Sequence, residues 1–140
     1  MPLTADEIEP GIVAILEAAT LSDDSRVQHE DLGANFRSGP FLCVDVKGEV
    51  SRWLAITTKA GPRGLRLSLS EAWRVDGSEV WHTEPQWIND ARKPFIGPNE
   101  SFVDAAAKEL PHRPHNRPRV SLEGLEAVRA EVLKYRAPSL

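Results

Sequence analysis

The sequence predicts an α+β domain, a small and bent antiparallel sheet with a helix packed on it at the C-terminus. Three observations carry that expectation. Two β-rich runs, 41–46 and 50–57, flank Lys47-Gly48-Glu49, and a glycine between two such runs supplies the positive φ of a tight hairpin. Leu65-Arg66-Leu67-Ser68-Leu69 alternates apolar and polar, as a half-buried strand does. Leu122, Leu125, Val128, Val132 and Leu133 mark one face of a helix at about 121–135, with Glu123, Glu126, Arg129, Glu131 and Lys134 on the other. That apolar face has to cover one side or one end of the sheet.

Near the N-terminus, Pro10-Gly11 is a turn signal. Beyond it the residues admit two readings. Apolar positions 8, 12, 15, 16 and 19 fit a helix from about Thr4 or Pro10 to Ala19, while β-branched Ile12, Val13 and Ile15 fit a first strand at 12–16. A long polar connection spans about 21–40. Residues 59–64 read as a loop. Asp76-Gly77, a strong turn pair, lies between 73–75 and 79–82 and predicts a second hairpin. Pro85, Pro94 and Pro98 punctuate the next stretch. A short helix is expected from Asn99 or Ser101 to Leu110, with Ser101 and Asp104 resembling a capping box and Pro111 ending it. Residues 111–119 form a basic, proline-broken loop before the Ser121 cap.

Composition narrows the function classes. The chain has 140 residues, enough for one domain with a real core, and 41% hydrophobic with 27% charged residues is ordinary for a globular protein. No apolar run approaches the roughly 18 residues of a membrane span, and the acidic start lacks a signal pattern, so a cytoplasmic protein is expected. The net charge of −4 argues against strong non-specific binding of nucleic acid, though a local basic groove is compatible with it. Cys43 has no disulfide partner and sits in an apolar run, which reads as core. No metal site and no cofactor are expected. His112 and His115 are separated by the extended backbone that Pro111, Pro114 and Pro118 impose.

The residues that could carry chemistry lie around the first strands. Pro10-Gly11 stands near the start, and Arg37 comes shortly before Pro40, which opens an apolar strand. The next strand ends in Thr57-Thr58-Lys59, and a helix closes the chain. This arrangement resembles the MazF/PemK (Kid-like) toxins. The resemblance implies an SH3-like barrel and a metal-independent endoribonuclease that cuts single-stranded RNA, a cytoplasmic homodimer held by an antitoxin protein. It gives Arg37 the family's acid–base and phosphate-stabilising role and Thr57 or Thr58 the role of holding the scissile phosphate. Substrate contacts are then expected from Thr58, Lys59, Arg63 and Trp53. The chemistry suits those residue types. Attack of a 2′-hydroxyl on the adjacent phosphate builds charge on phosphoryl oxygens, and a guanidinium donates two parallel hydrogen bonds to them.

A second class of function is compatible with the same residues. A non-enzymatic binding or regulatory module on such a barrel would hold its partner through the tryptophans, Trp81 among them, or through the 112–119 loop with Arg117. His82 beside Trp81 is a third candidate, as the general base of a hydrolase.

Overall fold

The computed structural model describes residues 3–29, 38–58, 67–109 and 117–135. The fold is α+β, an open antiparallel sheet with helices on both faces. The chain begins with a 3-10 turn at Ala5–Glu7, strand β1 (Val13–Leu16) and helix α1 (Ala18–Asp23). Of the two readings of the N-terminal segment, the strand holds across 13–16. Gly11, at φ +101°, turns the chain where a Cβ would approach the Val120 carbonyl oxygen to 2.9 Å.

Strands β2 (Gly39–Lys47) and β3 (Val50–Thr57) form the expected hairpin, with Gly48 at φ +60° in the loop. Their pairing runs from Phe41 opposite Ala55 to Lys47 opposite Val50. One irregularity falls between Cys43 and Asp45, where Val44 is the extra residue of a bulge. β1 pairs with the other edge of β2, Leu16 opposite Gly39. β4 (Leu67–Ser68), β6 (Trp87–Ile88) and β7 (Phe95–Pro98) complete the sheet in the order β1-β2-β3-β6-β4, with β7 also on β3. β3 therefore serves two partners along one edge, β7 over 50–53 and β6 over 56–57. Among the described residues no pairing closes this sheet into a barrel.

The run 41–44 is buried on every residue because both faces of β2 are covered. On one face Phe41, Trp53 and Phe95 pack with Phe102 and Ala105 of α3 (Asn99–Ala105). On the other, Leu42, Leu54 and Ile88 pack with Val128 and Val132 of α4 (Leu122–Leu133). Each such side chain contributes about 1.5–3 kcal/mol when fully buried. α4 starts where expected, with the Ser121 hydroxyl accepting from the Gly124 N–H at 3.3 Å.

The second hairpin does not form. β5 (Arg74–Val75) pairs with β8 (Arg119–Val120), and 79–83 is helix α2 (Glu79–Thr83). The Asp-Gly turn itself is as expected, both residues having positive φ (52° and 83°). Tertiary contacts decide the conformation of the residues after the turn. Helical geometry buries Trp81 in the α4-side core, and Arg74 Nη1 donates to the carbonyls of Trp81 at 2.9 Å and Glu84 at 2.8 Å, closing the helix end. α3 likewise begins at Asn99 behind Pro98, so Ser101 lies inside its first turn and is not its cap. The connection expected over 21–40 is shorter than read: α1 extends to Asp23 and Gln28 bridges Ile96. No helix among the described residues is long and apolar enough to cross a membrane.

Candidate functional site

At the end of the sheet where β2 begins and β3 finishes, polar side chains replace the core. Thr57 is opposite Trp87, and Trp87 is opposite Ser68. Directly opposed residues project to the same side of a sheet, so the three form one row across β3, β6 and β4. Thr57 and Trp87 are half-buried, Ser68 and Thr58 exposed. Continuing the β2–β3 register two residues past Phe41–Ala55 brings Gly39 opposite Thr57. Among the described residues a Cβ built on Gly39 meets nothing within 4 Å, so the row opens there onto free space.

Local structure fixes the entry to this end. The Ser38 hydroxyl accepts from the Ala18 N–H at 2.7 Å, which supplies α1 with the cap its own N-cap residue, Glu17, does not. Ser38 is thereby held against α1, one residue beyond Arg37 in the chain. Glu17, next to the Leu16–Gly39 pair, forms a 3.4 Å ion pair with the exposed Lys108. Among the described residues this end thus carries the Thr57, Thr58 and Ser68 hydroxyls and the half-buried Trp87 indole, with the Glu17–Lys108 pair beside the Leu16–Gly39 pair.

The expected site residues divide into three groups. Arg37, Lys59 and Arg63 lie outside the described residues. Thr57 and Thr58 stand together at the strand end. Trp53 does not join them. It is fully buried, stacks on Phe102 with ring centroids 5.3 Å apart, and donates from Nε1 to the Ser51 hydroxyl at 2.8 Å. Its indole is core, with no face left for a base. The indole at the site is Trp87. Its paired, half-exposed position became visible only with the β3–β6 register, which no local pattern encodes.

Comparison with protein-family models, with characterised proteins and with solved structures finds no match for this chain.

Arg117 and His82 change character in the structure, while Cys43 is core as read. Arg117 is 5% exposed. It donates to Glu109 through Nη1 (3.1 Å) and Nη2 (3.0 Å), to Glu7 through Nε (2.9 Å), and to the Val13 carbonyl (3.1 Å). This guanidinium ties the N-terminus, β1 and the segment after α3 together, so it is not a surface contact for a partner. His82 Nε2 is 2.6 Å from the Asp76 carbonyl oxygen. A carbonyl only accepts, so Nε2 carries the proton and is spent holding the Asp-Gly turn. The Cys43 thiol is buried, and burial together with the nearby Asp45 charge pushes its pKa far up, which removes it as a nucleophile. His112 and His115 lie outside the described residues, and among the described ones no group of three His, Cys, Asp or Glu is placed to hold a metal.

Proposed function

We propose that this protein is a MazF/PemK-like toxin, a metal-independent endoribonuclease acting on single-stranded RNA at the Gly39–Thr57–Trp87–Ser68 end of the sheet. The observation that supports this most is the juxtaposition of strand ends. The strand that Arg37 leads into and the strand that ends in Thr57 are hydrogen-bonded neighbours, and both reach the same open, polar corner.

In this reading a base stacks on Trp87, whose π-face accepts any base. The Thr57 hydroxyl donates to a non-bridging phosphate oxygen. Arg37 supplies the paired donors for the charge that develops there. The 2′-oxygen bonds to phosphorus as the bond to the 5′-oxygen breaks. The 2′ proton goes to a base at the site, and the leaving 5′-oxygen gains one. The products are a 2′,3′-cyclic phosphate and a 5′-hydroxyl end. A cytoplasmic homodimer and an antitoxin protein as partner belong to the same proposal; among the described residues β4 is last in the strand order, an edge that a partner strand can extend.

A specific observation favours a binding module as the second reading. Many described cations are already paired with acids, among them Arg26 with Asp24, Arg52 with Asp45, Arg92 with Asp90 and Arg119 with Glu9. Among the described residues that leaves few charges to neutralise a long phosphate chain. Incubating the protein with labelled single-stranded RNA in EDTA separates the two readings. The nuclease reading expects cyclic-phosphate ends, none from the 2′-deoxy analogue, and a loss of about 10²–10³ in rate for Thr57→Ala, the scale of removing one transition-state donor. Retarded but intact RNA would assign the chain to the binding class.

A further inference from the structure

Away from that corner, on the α4-covered face, the sheet buries a guanidinium that is only partly used. Arg52 of β3 has 8% of its side chain exposed. Its Nη1 donates to Asp45 Oδ2 at 3.0 Å. Its Nε and Nη2 are out of contact with solvent and have no hydrogen-bond partner. Those two nitrogens lie on one edge of the guanidinium, with their N–H bonds parallel, so the unused donors form one complete fork.

Among the described residues, two cations meet one acid at Asp45. The bulge at Val44 turns Asp45 onto the same face as Arg52. There Asp45 Oδ1 also pairs with Arg129 Nε of α4 at 3.0 Å, and that nitrogen lies 3.1 Å from the Val44 carbonyl oxygen as well. Two guanidinium groups thus share one carboxylate. A trapped water could accept from the orphaned fork but would leave the extra charge in place, whereas an anion answers both.

We propose that Arg52 and Arg129 form an oxyanion site, in which the Nε/Nη2 edge of Arg52 takes both oxygens of a carboxylate or phosphate group. Entry requires a side chain to move, and Arg129 is the more exposed of the two, with 36% of its side chain accessible at the helix surface against 8% for Arg52. The site is independent of the proposed ribonuclease. Arg52 projects from the opposite face of β3 to Thr57, five residues away, or about 17 Å along the strand.

The test titrates the full-length chain with inorganic phosphate and, separately, with sodium acetate, each at ionic strength held constant with sodium chloride. The unfolding temperature and the ¹H–¹⁵N signal of the Arg52 Nε are followed together. A saturable rise in one or both series is expected, on the order of 5–10 °C at a hundredfold excess over Kd, with a matching shift of the Arg52 signal. The series that saturates at lower concentration names the anion. Arg52→Lys keeps the charge and removes the fork, and Arg129→Gln removes the second cation; each should weaken binding at least tenfold. An unfolding temperature that follows ionic strength alone, an Arg52 signal that does not move, or saturation retained in Arg52→Lys would overturn the proposal. The spectrum of the unmodified protein decides the matter even where Arg52→Lys does not fold.

Discussion

Arg117 shows how much of this fold depends on a few charged residues. It and Glu109 are both almost fully buried, at 5% and 1% side-chain exposure, and the Glu109 Oε2 that Arg117 engages also accepts from the Ile15 N–H at 2.7 Å. Breaking a buried pair costs far more than the pair contributes, since the remaining charge stays desolvated. Arg117→Ala should therefore destabilise the protein by about 3–5 kcal/mol in urea unfolding, and adding Glu109→Gln should recover part of the loss. A cost below about 1 kcal/mol would show the site solvated. Asp24 gives a pH-dependent case. Its carboxyl is held well below the usual carboxylate range, chiefly by the Arg26 side chain, which reaches both oxygens at 3.0 and 2.9 Å. A depressed folded-state pKa adds stability above the unfolded value near about 4, and that stability is lost as the pH falls. Wild type should thus lose more stability than Asp24→Asn between pH 5 and pH 2; equal losses would remove Asp24 from the acid transition. At this scale the sequence was a poor guide. Arg117 lies in a run of histidine, arginine and proline that reads as solvated, and its acidic partners are 110 and 8 positions away.

At the scale of elements, legibility followed the range of the interaction that decides each one. The β2–β3 hairpin rests on Gly48 and its flanking β-formers, all local, and it forms as read. The α4 helix is likewise local in its period and forms from Leu122 to Leu133, but its buried face is Gly124, Leu125, Val128 and Val132, while Leu122 and Leu133, read as part of that face, stand exposed at its two ends. Residues 79–83 carry no strong local preference, and the burial of Trp81 together with the Arg74 clamp makes them a helix. Pairings such as β5 with β8 join residues more than forty positions apart and leave no periodic trace. The α4 packing also reverses a common expectation about glycine. Gly124 lies inside the helix, where alanine is ordinarily better by about 1 kcal/mol. Here a Cβ would lie 2.7 Å from both Trp73 Cβ and Val120 Cγ1. Gly124→Ala should destabilise by about 1–3 kcal/mol, the usual cost of overpacking. A stabilised variant in thermal unfolding would show that the Trp73–Val120 wall yields freely.

At the scale of the whole molecule, the α+β class was readable because its parts are repeated local patterns, whereas the site was readable only in part. Thr57 could be singled out from the end of a strand. Trp87, in a stretch punctuated by prolines, gave no local sign of its place, and only the sheet decides that Trp53 stacks on Phe102 while Trp87 sits in the row with Thr57 and Ser68. The sheet thereby separates two tasks. Its middle is covered on both faces and holds the fold, while among the described residues the end at Gly39 and Thr57 stays polar, with free space at Gly39. That division is what the ribonuclease proposal uses. Expressing the wild-type chain in a bacterium beside Arg37→Ala and Thr57→Ala, and sequencing total RNA for new 5′ ends, tests it most directly. Growth arrest with site-specific cuts, absent from the Arg37→Ala culture and reduced in Thr57→Ala, is the expected result. Normal growth and intact RNA, from wild-type protein shown to be folded and free of any bound inhibitor, would contradict it.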